Sequence, residues 1–137
     1  PTTAVQAIDR IHGLLRDLLR REDPPRGLLD DDGVERVRVR PAEWPDLVHL
    51  GFDELRQCGG SSLQVLRRLR AALDDLLGAA PPTRQPVLEE QLVLLAAAAE
   101  RSFPDEADRE AAALPDAQGL GPTTTQVDEP EVVQTVA

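Results

Sequence analysis

WPDLVHLGFDELRQCGGSSLQVLRRLRAALDDLL, residues 44–77, decides the fold. Pro45 suits a first helical turn, where the N–H it lacks would have no intrahelical partner. Leu47, Val48, Gly51, Leu55 and Cys58 then recur at three- and four-residue steps, the spacing of one helix face. Asp46, Asp53, Glu54 and Arg56 fall mostly on the opposite side. Gly59 and Gly60 are expected to end this helix, because glycine takes the left-handed C-terminal conformation without a Cβ clash. Ser61, with Gln64 three residues on, forms a reciprocal capping pattern that opens a second helix. Leu63, Leu66, Leu69, Leu73 and Leu76 are its apolar stripe, and Gly78 with Pro81-Pro82 stops it. A link this short makes the two helices antiparallel neighbours.

Upstream, residues 3–22 read as a first helix, with a capping pattern at Thr3 and Gln6. Val5, Ile8, Ile11, Leu15 and Leu18 give its inward stripe, widened by Leu14 and Leu19, and Pro24-Pro25 ends it. Residues 27–40 carry the one β signal. Leu28-Leu29, an Asp-Asp-Asp-Gly turn, and Val34, Val37 and Val39 alternating with arginines predict a hairpin. Two strands alone are marginal, so the hairpin is expected to lean on the helices. Asp30, Asp31 and Asp32 lack the loop length and terminal Glu of a calcium-binding EF-hand, and an acidic turn fits them better.

Downstream, residues 86–102 read as a fourth helix with Pro86 in its first turn. Leu88, Leu92, Leu95 and Ala99 share a face, and the alanine run 96–99 permits close approach, so this helix is expected to be the most buried. Phe103-Pro104-Asp105 is a break, and 106–114 a short fifth helix. Residues 1–115 thus make one helical domain, and 116–137 an acidic tail or linker, largely disordered. Within that tail, residues 131–136 are a candidate extra strand beside residues 34–40.

The chain has 137 residues, enough for one domain with a single core. Its aromatic residues are Trp44, Phe52 and Phe103, so the core must be Leu, Val and Ala, which suits helix packing. All 15 basic residues are arginine and the net charge is −10. The 17 acids and 14 arginines of residues 1–104 nearly balance, whereas residues 105–137 hold 8 acids and one arginine. That distribution argues against nucleic-acid binding through a basic face. A single cysteine allows no intrachain disulfide, and Cys58 reads as a small buried hydrophobe. No run of 18 apolar residues is present to span a membrane.

No catalytic, metal or nucleotide motif stands out, and neither an enzyme nor a cofactor is expected. Asp9 and His12 lie one turn apart, a spacing some helical metal sites use, but His49 is the only other histidine. Adjacent acids (Asp53-Glu54, Asp74-Asp75, Glu89-Glu90) sit on helix faces that read as solvated. Arg56, Arg67, Arg68 and Arg70 form a possible interaction surface, since arginine suits carboxylate, phosphate and lipid headgroups. Asp53, Glu54 and Asp74 are the competing partners within the chain.

GFDELRQ at 51–57 followed by QVLRRLRAALDDLL at 64–77 resembles the C-terminal half of a bacterial family of predicted membrane proteins, domain of unknown function 2254. PTTAVQAIDRIHGLL at 1–15 and features at 84–110, among them AAAERSFPDEADRE, are similar to the same half, so the resemblance extends over residues 1–115. It implies transmembrane helices ahead of this chain, a place at the bacterial cell membrane, and no known activity.

The expected fold is all-α: an antiparallel four- to five-helix bundle with one small β-hairpin between the first and second helices. The expected role is a non-catalytic soluble domain of an integral membrane protein. Its expected partners are the transmembrane part of the parent protein and further copies of itself, with no nucleic acid. The alternative is a sensing domain that binds a small anion or lipid headgroup near the arginines.

Overall fold

The computed structural model describes residues 2–116. They form α1 (Thr2–Leu18), β1 (Gly27–Leu29), β2 (Glu35–Arg38), α2 (Trp44–Gly59), α3 (Leu63–Ala79), α4 (Gln85–Ser102) and α5 (Glu106–Ala113), with a 3-10 turn at Pro82–Arg84. The chain is therefore mostly helical, with the hairpin where the sequence placed it. The expected strand at residues 131–136 and nearly all of the tail lie outside the described residues.

α3 is the hub, packing against α1, α2, α4 and α5. Leu66, Leu69, Leu73 and Leu76 form its buried stripe, and Val65, Ala71 and Ala72 extend that burial around the helix. The expectation that α4 would be the most buried helix is corrected: α4 buries Val87, Leu88, Gln91, Leu95 and Ala98, fewer than α3 does. Helix packing explains this, because α4 lies to one side of α3 and turns Glu89, Glu90, Val93 and Glu100 outward.

The inward face of α2 is Trp44, Val48 and Phe52. Cys58 falls about a quarter turn off that face and is exposed, contrary to the buried reading. Gly60 has φ −61°, so α2 has no left-handed cap. Glycine is required here for a different reason: a Cβ on Gly59 would lie 2.4 Å from Val65 Cγ1 in the first turn of α3. The cap of α3 is also one residue later than expected, with Ser62 Oγ accepting from the Val65 N–H. Thr3 lies inside α1 instead of capping it.

α1 stops at Leu18, four residues short of the expected end, in a turn where the Arg20 and Arg21 N–H groups donate to Asp17 O and Leu18 O. The Arg84 guanidinium donates to Leu18 O at 2.9 Å and Arg21 O at 3.1 Å, and pairs with Asp23 at 2.8 Å. It also stacks 5.4 Å over the Trp44 ring, whose Nε1–H donates to Arg84 O. One residue thus ties the end of α1 to the starts of α2 and α4. Arg84→Ala is expected to lower the unfolding free energy by about 2–3 kcal/mol, from lost charge-assisted hydrogen bonds and the ring contact. Arg84→Lys should restore under half of that, since an ammonium cannot reproduce the planar fork. Urea denaturation of the two variants measures both.

In the hairpin, Gly27 pairs with Arg38 and Leu28 with Val37. Asp30 closes the turn: its carboxylate accepts the N–H groups of Asp32 and Val34 and the Arg36 side chain. Gly33 adopts φ +77°. The expected support from the helices is not there. β1 and β2 pack chiefly on each other, and Leu28, Leu29, Val34, Val37 and Val39 remain about half exposed. These strands, of 3 and 4 residues, are too short to present a large apolar face to a helix.

Candidate interaction surface

α1 and α2 pass each other in opposite directions, with Leu18 beside Trp44 and Leu47, and Ile11 beside Gly51. The absence of a side chain at Gly51 allows this approach: a Cβ there would sit 2.8 Å from Ile11 Cγ2. On the outside the pair leaves an apolar groove of about 260 Å³ lined by Ile11, Leu14, Leu18, Leu47 and Leu50. Leu14 is 65% exposed and Leu50 81%. Neither exposure follows from poor packing nearby, since Leu15 and Val48, their neighbours along the helices, are buried. Contiguous exposed apolar patches are candidate association surfaces.

Each of the four arginines expected to form a surface has a partner within the chain. Arg68 is buried, with Nε 2.8 Å from Asp9 Oδ1, Nη2 3.1 Å from Asp9 Oδ2, and Nη1 donating to Asp116 O. Arg67 donates to Leu114 O, Arg70 to Asp74, and Arg56 to Asp53. The structure does not bring them together as one patch: Arg56 belongs to the α2–α4 contact, while Arg67 and Arg68 fasten the chain after α5 onto α3.

Asp9 and His12 likewise take separate partners. His12 is buried and its Nε2 lies 2.6 Å from Asp75 Oδ2, which Arg16 also contacts. These contacts join α1 to α3 along a polar seam. Between α2 and α4, the fully buried Gln91 donates to Asp53 Oδ1 at 2.8 Å and lies 3.1 Å from His49 Nδ1. Among the described residues no group of three or more His, Cys, Asp or Glu could hold a metal ion.

Partial burial pushes the Asp75 carboxyl up, but hydrogen bonds from Arg16 and His12 and the attraction of both outweigh it and hold Asp75 below its ordinary value. Asp53 has the same balance, with burial opposed by Gln91, Arg56 and His49. A folded value that is depressed gives stability present above the unfolded pKa of about 3.9 and lost as pH falls through the folded value. The urea midpoint should therefore fall below about pH 4. Asp75→Asn should lower the midpoint at pH 7 and flatten part of that acid limb, a comparison made by urea titration across pH 3–7.

A family model described as "Predicted membrane protein (DUF2254)" matches residues 1–75, more than half of the chain. The chain belongs to this family. The DUF2254 match takes in α1, the hairpin, α2 and α3 as far as Asp75, so it includes both walls of the apolar groove. The resemblance read at 84–110 lies outside it. No curated protein and no solved structure matches the chain. Among the described residues, no helix is long and apolar enough to cross a membrane.

The residues that sequence reasoning missed are Arg84, Trp44, Gln91 and the inward orientation of His12. Only His12 left a signal, since it lies four residues after Ile8 and three before Leu15 on the buried side of α1. Nothing local marks Arg84, whose partners are some 60 residues away in sequence.

Proposed function

We propose that this chain is a non-catalytic extramembrane domain of a DUF2254 membrane protein, with its helices arranged as an antiparallel bundle. It acts by association, through the apolar face between α1 and α2. The observation that carries this reading is the exposure of Leu14 and Leu50 over a groove whose flanking residues are well packed. Family membership supplies the context, because a membrane protein needs a surface through which its extramembrane part meets the membrane half or another copy. The headgroup-sensing alternative is not favoured, since Arg56, Arg67, Arg68 and Arg70 already hold partners within the chain.

Trypsin provides the test, because exposed Arg20 and Arg21 lie just past the end of α1 beside this face. In the intact membrane protein, solubilised in mild detergent, cleavage there should be at least about fivefold slower than in the 137-residue chain at low concentration. Leu14→Asp combined with Leu50→Asp should erase the difference, and Val93→Asp, an exposed site on α4, should not. Equal rates in the intact protein and the chain would refute the reading.

A further inference from the structure

We propose that the α1–α2 groove pairs with the same groove of a second copy, in a two-fold dimer that lays α1 of one protomer over α2 of its partner. This rests on the association reading above and names the occupant. Three features of the groove's rim point to it.

First, the two helices bordering the groove carry opposite charge. Along α1 and its end, Arg10 and Arg21 flank Leu14, with Asp17 between them, while along α2 Asp46 and Glu54 stand one turn to either side of Leu50. All five are exposed. Second, the opposite run of the helices sets their levels. Leu18 beside Leu47 and Ile11 beside Gly51 put Arg10 at the Glu54 end of the groove and Arg21 at the Asp46 end.

Third, these positions select one symmetry. In a face-to-face pair the two-fold axis lies in the interface. An axis parallel to the helices sets each α1 over the partner's α2 at the same level, so Arg10 comes level with the partner's Glu54, while the partner's Asp46 falls between the levels of Asp17 and Arg21. An axis across the helices sets α2 over α2 and brings Asp46 against the partner's Glu54, which repels. Opposed rims with complementary signs are what a self-recognising surface needs. The same acids disfavour an anionic lipid surface as the occupant, since Asp17, Asp46 and Glu54 would face it alongside the leucines.

Sedimentation equilibrium of the 137-residue chain tests the proposal, up to about 0.5 mM so that a micromolar or weaker dimer is seen. A monomer–dimer equilibrium is expected. Leu50→Asp should weaken it at least about tenfold, with an unchanged circular-dichroism spectrum. Arg10→Glu and Glu54→Arg should each weaken it by about three- to tenfold, and the two together should return it to within about threefold of the original. A dimer indifferent to Leu50→Asp, or singles that the double does not repair, would overturn the assignment. A chain that stays monomeric while the intact protein still shows tryptic protection overturns the second copy and gives the face to the membrane half. A monomeric chain with no protection sinks both this proposal and the reading beneath it.

Discussion

Replacing Asp9 with alanine should destabilise the chain by about 3 kcal/mol, although Asp9 itself is partly exposed. The cost arises on the other partner. Arg68 has a side-chain exposure of 7% against 33% for Asp9, so deleting the carboxylate takes two charge-assisted hydrogen bonds from a buried guanidinium. Removing one partner of a buried pair is expensive, typically about 3–5 kcal/mol, and the partial exposure of Asp9 puts the estimate at the low end. Arg68→Met should cost less, since it leaves a carboxylate that water can reach and keeps most of the packing on α3. The double variant Asp9→Leu with Arg68→Met should recover most of the loss, because an apolar pair of similar volume needs no desolvation of charge. Urea denaturation of the three variants measures the cycle. A loss under about 1 kcal/mol for Asp9→Ala would mean that the remaining partners of Arg68, the Asp116 carbonyl among them, satisfy it.

Phe52→Ala is the other large effect, at about 4 kcal/mol. Phe52 is 1% exposed and heads the largest fully buried side chains. It belongs to the same buried cluster as Val48, Leu66, Leu69 and Leu73. Neighbours packed in such a cluster relax only partly into the space, so the cavity penalty adds to the transfer loss. Phe52→Leu should cost about 1–1.5 kcal/mol, because volume is nearly kept. Both follow from denaturant midpoints, and equal losses for the two would show that the site relaxes freely.

The helices were legible in the sequence because each writes its own period. Leu66, Leu69, Leu73 and Leu76 mark α3, and the breaks at Gly59-Gly60, Pro81-Pro82 and Phe103-Pro104 mark its neighbours. The hairpin was legible from Asp30 to Gly33 and the alternating valines. What periodicity could not show was which flank of a stripe meets which helix. Cys58 and Leu50 both sit on the α2 sequence near apolar steps, yet the buried line runs through Trp44, Val48 and Phe52 and leaves both exposed. The contacts of Arg84 at the end of α1 were hidden for a related reason: the fold alone brings it there.

The arginines carry the sharpest lesson. Arg67, Arg68 and Arg70 look like a basic patch when read as neighbours in the chain. In the fold Arg68 turns to Asp9 on α1 and, with Arg67, to the chain after α5, while Arg70 pairs with Asp74 along α3. The proposed surface is at Leu14 and Leu50. Leu14 had been assigned to a widened inward stripe, and Leu50 was off every stripe. An exposed leucine is unremarkable singly, and these two become a surface only when α1 and α2 lie side by side.

The most direct test of the association face is thiol accessibility in the intact DUF2254 protein. Cys58 is exposed, so Cys58→Ser, with any cysteine elsewhere in the intact protein also replaced, removes the background, and Leu50→Cys then reports on the groove. If the face is covered in the assembled protein, a maleimide should react there at least about tenfold more slowly than in the 137-residue chain diluted to nanomolar concentration, where a micromolar contact has dissociated. Equal reactivity in the two would contradict the account, because it would leave Leu14 and Leu50 facing water in the assembled protein.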